Sequence, residues 1–255
     1  MKKCRYWLAI ALVALPNYLA ASTTLRLAYS DIGSYPFQIG NGNKVASPPG
    51  LALDVINQVA HELDINVEYV RRPGKRVLHE IEKNKVDGGF IFSHNAERAR
   101  YASYPLKDGK PDPSKRVGRI GYYFYKLKSQ PLERDGIGIR SKTQLVGAHL
   151  GFSIIGELKR LEINIHEVKT TKQLFAMLRA KRVAAIAIQD TIAQEYLKDK
   201  DWPDIEQLQP AIATKDYYLV FSHQFVRAHP ELANRIWTSI GANRDEVISQ
   251  FQHLY

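Results

Sequence analysis

Val86-Asp87-Gly88-Gly89-Phe90-Ile91-Phe92-Ser93-His94-Asn95-Ala96-Glu97-Arg98-Ala99-Arg100-Tyr101-Ala102-Ser103-Tyr104-Pro105 carries a short apolar strand directly into a polar loop that holds a guanidinium. Open α/β sheets place their ligand sites in such loops, at the carboxyl ends of buried parallel strands. A planar guanidinium there can take a carboxylate through two parallel hydrogen bonds. The alternative for Arg98 is a solvated side chain with i,i+4 partners on a following helix, which pairs weakly.

The chain around this stretch alternates strand and helix. Residues 24–29 read as a strand, and 30–49 as a long loop rich in Gly, Pro and Asn. Leu51, Val55, Val59 and Leu63 share one face at i,i+4 spacing, so 51–63 is an amphipathic helix. A strand over 65–70, a helix over 76–84 and the strand over 86–92 follow. The pattern then restarts with strands over 145–150, 163–168 and 183–188, separated by helices over 155–161 and 171–179. Thr170 or Thr171 caps the second of these helices. Two βαβαβ series imply two similar lobes, each built on a parallel sheet. Between them the β-prone runs at 121–125 and 217–221 suit two strands that cross from lobe to lobe. Helices over 230–240 and 245–251 return to the first lobe. The expected fold class is α/β, two-lobed with two hinge crossings, lobe 1 comprising 22–122 and 218–255 and lobe 2 comprising 123–217.

The 255 residues are ample for two cored lobes. Lys2, Lys3 and Arg5 precede an apolar run that ends near Leu15, and Leu19-Ala20-Ala21-Ser22 completes the pattern of a cleaved secretory signal over 1–21. The run is too short for a membrane span. Cys4 is the sole cysteine and lies before the run, so it is no acylation site and the exported chain has no thiol; a Gram-negative periplasm fits this better than a disulfide-rich extracellular module. Of the formal charge of +10, three units belong to the signal and +7 remains. That balance favours anionic ligands. Lys and Arg are scattered among Asp and Glu rather than laid out in aromatic-interleaved stripes, which together with export argues against nucleic acid.

The central stretch resembles the amino-acid-binding, family 3 type of periplasmic solute-binding protein, the substrate-binding component of ABC importers. Asp87, Ser93, Asn95, Glu97, Arg98 and 101–105 fall on that family's signature, with Asn95 where Thr is usual. The resemblance implies a type II periplasmic-binding fold. It also implies that Arg98 grips the ligand's α-carboxylate with help from the hydroxyl of Ser93. In 184–193 it places Asp190 at the strand end that receives the ligand's α-ammonium. An ordinary helix N-cap is the other reading of Asp190. Further along the pattern, Asp31 with Tyr35 or Phe37 would line the pocket from the first loop. Arg76 falls on a Pro-Trp-x-Arg motif whose aromatic position is Gly74. Phe152 and Ser153 lie in a loop whose backbone N–H groups assist the carboxylate. The implied protein is a monomeric, non-enzymatic periplasmic receptor for a small-molecule ligand, an amino acid or small carboxylate, with an inner-membrane ABC permease as partner and no cofactor.

The eight His are dispersed, and no pair has metal-ligand spacing. Gly136-Ile137-Gly138 is too short for a dinucleotide loop, and no nucleophile elbow occurs. Two other functions remain on the same scaffold. One is a periplasmic enzyme of the cyclohexadienyl-dehydratase kind, for which Glu97, Asp31 and His149 are the candidate acids and bases. The other is a ligand-degenerate protein that works through a partner surface.

Overall fold

A computed structural model of the protein describes residues 23–140 and 143–255. The expected secretory signal and Cys4 lie outside these residues. One eight-stranded sheet organises the chain, from β1 (Thr24–Ser30), β2 (Asn66–Arg72), β3 (Gly88–Ser93), β4 (Gly118–Leu127), β5 (Leu145–His149), β6 (Asn164–Val168) and β7 (Ala185–Gln189) to β8 (Ile205–Phe221). Its order is β6-β5-β7-β4-β8-β3-β1-β2. Each end is a parallel three-strand unit, and the antiparallel β4 and β8 join the two in the middle.

Both central strands serve both halves. In β8, Tyr217, Tyr218, Val220 and Phe221 pair with β3, whereas Ile205 to Leu208 pair with the far end of β4. Pairing shifts register between Leu208 and Ala213, where Pro210 contributes no N–H to the ladder. The chain thus crosses twice between two lobes, and the fold is the two-lobed periplasmic-binding type.

Helices cover both faces of each lobe. On the first lobe α1 (Leu51–Glu62) and α7 (Pro230–Phe251) bury Leu25, Leu27, Tyr29 and Phe90 on one side, and α2 (Gly74–Glu82) buries Ala28, Val70 and Phe92 on the other. The second lobe packs α3 (Ile154–Arg160) on one face, and α4 (Thr171–Arg179) with α5 (Asp190–Leu197) on the other. The hydroxyl of Thr170 accepts from Gln173 N, and Gln173 reaches back in a capping box that fixes the start of α4.

The C-terminal region differs from the sequence expectation. A single 22-residue helix replaces two short ones, preceded by the six-residue α6 (His223–Ala228). The helix runs on past Ile240 through Gly241, where a Cβ would lie 2.9 Å from the Ser114 carbonyl oxygen, so glycine serves close approach rather than termination. Three residues on, Arg244 donates to the carbonyls of Ser114 and Arg116 at 3.0 and 2.8 Å and ties the helix to the same segment.

β3 carries one irregularity that aims the loop after it. Phe92 pairs with Tyr218 and Gly89 with Val220, so two residues of β3, Phe90 and Ile91, face one residue of β8. Ile91 adopts φ 59°, a left-handed conformation that costs a β-branched residue about 1–2 kcal/mol. The bulge sends Phe90 to the α1/α7 core and Phe92 to the α2 core, although strict alternation would put them together.

Candidate functional site

Past the end of β3 the Asn95 side chain accepts from Arg98 N at 2.7 Å, and a single 3-10 turn over Arg98–Arg100 follows. This turn folds the Arg98 side chain back under the strand, where the residue is 7% exposed. Its Nη1 donates to both the carbonyl and the hydroxyl of Ser93, each at 3.0 Å. Nη2 donates to the Gly151 carbonyl of the second lobe at 3.2 Å. Tyr104 steadies the arrangement by donating to the same Ser93 carbonyl. All three acceptors of the guanidinium are neutral, and among the described residues no carboxylate lies within ion-pairing distance of it. A buried charge is costly unless it is paired, and hydrogen bonds to neutral oxygens compensate only part of that cost.

The second lobe meets Arg98 through the loop after β5. Gly151 has φ 76°, and a Cβ there would stand 2.8 Å from Cγ of Lys75 on the first lobe, so the close approach of the lobes requires glycine. Phe152 packs on the imidazole of His149 with centroids 4.6 Å apart. Ser153 is buried at the start of α3, and its carbonyl accepts from Lys215 Nζ at 3.0 Å. Burial lowers the Lys215 pKa, against the pull of Glu157. His149 is buried behind this loop, and burial pushes its pKa down to about 4. Its Nε2 lies 3.2 Å from the Thr171 hydroxyl.

Deeper between the lobes is a closed polar network. The Ser34 hydroxyl, from the loop after β1, donates to Gln189 Oε1 at 2.6 Å. Gln189 Nε2 donates to the hydroxyls of Tyr122 and Tyr217, both at 3.0 Å, and these two oxygens are 2.8 Å apart. All four residues are buried, and burial raises the Tyr217 phenol well above its ordinary pKa. The network joins the lobes with uncharged groups only.

Outside it, a cavity of about 480 Å³ opens between α2 and the 95–101 loop on one lobe and the 151–159 segment on the other. Arg98, Phe152 and Ser153 line it, and Ser93 sits directly behind Arg98. Asn95 and Glu97 line it too, whereas the residues expected from the other segments lie elsewhere. Asp190 opens α5, accepts from Thr191 N at 2.8 Å and has its pKa raised by burial. Asp31 uses its backbone to bind Arg72 and Gly42. Tyr35 donates to the Tyr255 carbonyl. Phe37 is wedged under Gly118, where a Cβ would meet its ring at 2.5 Å. Arg76 pairs with Glu80 at 2.9 Å on the outer surface of α2. Residues the sequence reading did not single out are Lys75, Lys159 and Gly151 at the cavity, and Ser34, Tyr122, Tyr217 and Gln189 beneath it. Among the described residues no three His, Cys, Asp or Glu side chains converge as a metal site.

No family model and no curated protein matches the sequence. Solved structures do. The chain is similar to the GluR0 ligand-binding core in complex with L-glutamate (TM-score 0.72, 16% identity, 93% of this chain and 99% of that one). It is similar to an ancestral arginine-binding protein bound to glutamine (0.66, 16%, 90% and 98%) and to the P235GK mutant of ArgBP from T. maritima (0.69, 13%, 90% and 95%). At these identities the likeness is one of fold: the chain has the two-lobed fold of amino-acid-binding solute-binding proteins.

Proposed function

We propose that this protein is a periplasmic receptor for a small carboxylate-bearing solute, an α-amino acid by class, which it captures between its lobes and presents to an inner-membrane ABC permease. Lobe 1 comprises 22–122 and 218–255, and lobe 2 comprises 123–217. The observation that carries this reading is Arg98, a buried guanidinium on the cavity wall whose hydrogen bonds all go to neutral oxygens. A ligand carboxylate is the counter-ion that such a group lacks. The fold supports the same reading, since neighbours that share it hold glutamate, glutamine or arginine.

Closure follows from where the contacts lie. Arg98 and Ser93 belong to the first lobe, Gly151, Phe152 and Ser153 to the second, so a ligand that touches both sets favours the closed form by the contacts it gains there. The test is thermal unfolding of the ligand-stripped protein against L-amino acids, small carboxylates and oligopeptides. Ligand at a hundred times its dissociation constant adds about 2.7 kcal/mol of stability. Arg98→Ala should weaken binding more than about tenfold, because a charge-assisted contact is worth roughly 1.5–3 kcal/mol. Undiminished binding in that variant would remove the guanidinium from the site.

A further inference from the structure

The cavity holds more charge than a carboxylate clamp requires. Lys75, in the first turn of α2, and Lys159, on α3 of the opposite lobe, both line it. Neither ammonium has an ion-pair or hydrogen-bond partner among the described residues, although the adjacent Arg76 and Arg160 are paired with Glu80 and Glu157. Three carboxylates share the walls. Glu82 lies within 4 Å of His79 and Lys83, and Glu167 accepts from Gly151 N at 3.2 Å. Among the described residues the Glu97 carboxylate alone of the three has no partner. What the cavity leaves without a counter-charge is therefore one carboxylate, two ammoniums on different lobes and the Arg98 guanidinium.

Building on the carboxylate reading of Arg98, we infer that the preferred ligand is an α-amino acid with a second anionic group on its side chain, a carboxylate or a phosphate. Arg98 takes the α-carboxylate, Glu97 the α-ammonium, and Lys75 with Lys159 the distal anion. The volume of about 480 Å³ falls within the range of small-molecule sites and leaves room beyond an amino-acid head group. The placement of the two lysines on different lobes gives the distal anion a specific job. As the cleft closes, the two ammoniums approach and repel; an anion between them converts that repulsion into attraction available only in the closed form. Both lysines are exposed, so each contributes modestly and in a salt-dependent way.

Isothermal titration of the purified protein with L-glutamate, its uncharged isostere L-glutamine, and O-phospho-L-serine decides the matter, repeated for Lys75→Gln and Lys159→Gln. At least one of the two anionic probes should bind more than about tenfold tighter than L-glutamine, a gap that narrows in high salt. Each lysine variant should lose about three- to tenfold for the anionic probe and stay within about twofold for L-glutamine. A preference for O-phospho-L-serine over L-glutamate identifies the distal group as a phosphate, the reverse as a carboxylate. Equal binding of L-glutamine, or lysine variants that weaken all probes alike, overturns the inference and leaves the Arg98 reading standing. No heat from any amino acid or carboxylate, including those of the wider panel, overturns both.

Discussion

Both lobes end buried parallel strands at the cleft, yet they deliver opposite kinds of group. β3 leads to Arg98, a permanent charge held by neutral oxygens. β5 ends in His149, which burial keeps unprotonated, and β7 ends in Gln189, which is uncharged and bonded to hydroxyls. Asp190, the carboxylate that follows β7 directly, is turned to its own helix, and burial raises its pKa. At the ends of β3, β5 and β7 the work is therefore divided: β3 leads to a charge, while β5 and β7 supply neutral hydrogen bonds and shape. A charge buried at the floor of the second lobe would have to be desolvated at every closure, and a floor of amide and hydroxyls avoids that cost.

The severest challenge to this division is Gln189→Leu. It leaves the Ser34 hydroxyl without its acceptor and the Tyr122 and Tyr217 hydroxyls without the amide they accept from, all in a buried space, and the expected loss is about 3 kcal/mol in urea unfolding. A loss below about 0.5 kcal/mol would mean that the neutral floor does not hold the lobes together. Next comes the pH dependence that His149 imposes. Its folded pKa lies below the unfolded value of about 6.5, so the unfolded chain binds more protons between those values and stability falls as pH drops from 6.5 towards 4. The fall attributable to this residue is on the order of 2 kcal/mol, and His149→Gln should flatten the stability profile across that window. An unchanged profile would mean that the imidazole is not kept neutral. The smallest effect is expected of Asp190→Asn. A carboxyl with a raised folded pKa costs stability once it is ionised, so the variant should gain no more than about 0.5 kcal/mol at neutral pH and nothing at pH well below its ordinary pKa. Ligand affinity should stay within about twofold. A collapse of affinity would instead put Asp190 opposite Arg98 and end the contrast between the lobes.

Much of the scaffold could be read from local pattern. The i,i+4 face of Leu51, Val55 and Val59, the Thr170 cap and the apolar runs at 24–29 and 86–92 each specify their element over a few residues. The 17-residue β8 could not be read this way, because its first half, Ile205 to Thr214, mixes polar with apolar residues in no regular alternation and is interrupted by Pro210. Arg98 stands out because a guanidinium after an apolar strand is a local signal. Its partner Gly151 is 53 residues away, and Ser34 meets Gln189 across 155 residues, so neither contact leaves a trace in the spacing of side chains. The family resemblance points to the neighbouring Asp190 instead. In a strand that alternates its side chains, position decides which of two adjacent residues faces the partner lobe, and charge has no vote.

The bulge at Ile91 works on β3 as a frameshift works on a message. A strand is read in steps of two, and one residue left out of the pairing exchanges the faces of everything downstream without altering the order of side chains. Phe92 is thereby assigned to the α2 side and Ser93 to the side where its hydroxyl receives Arg98. Pairing Ile91 regularly into the ladder would remove the strained backbone but return Phe92 to the face of Phe90, turning Ser93 towards α2 and withdrawing that acceptor. The strain at a single residue is thus a punctuation mark: a strand that ran through this point without the bulge would keep every letter of the Asn95 to Arg98 loop and misread it.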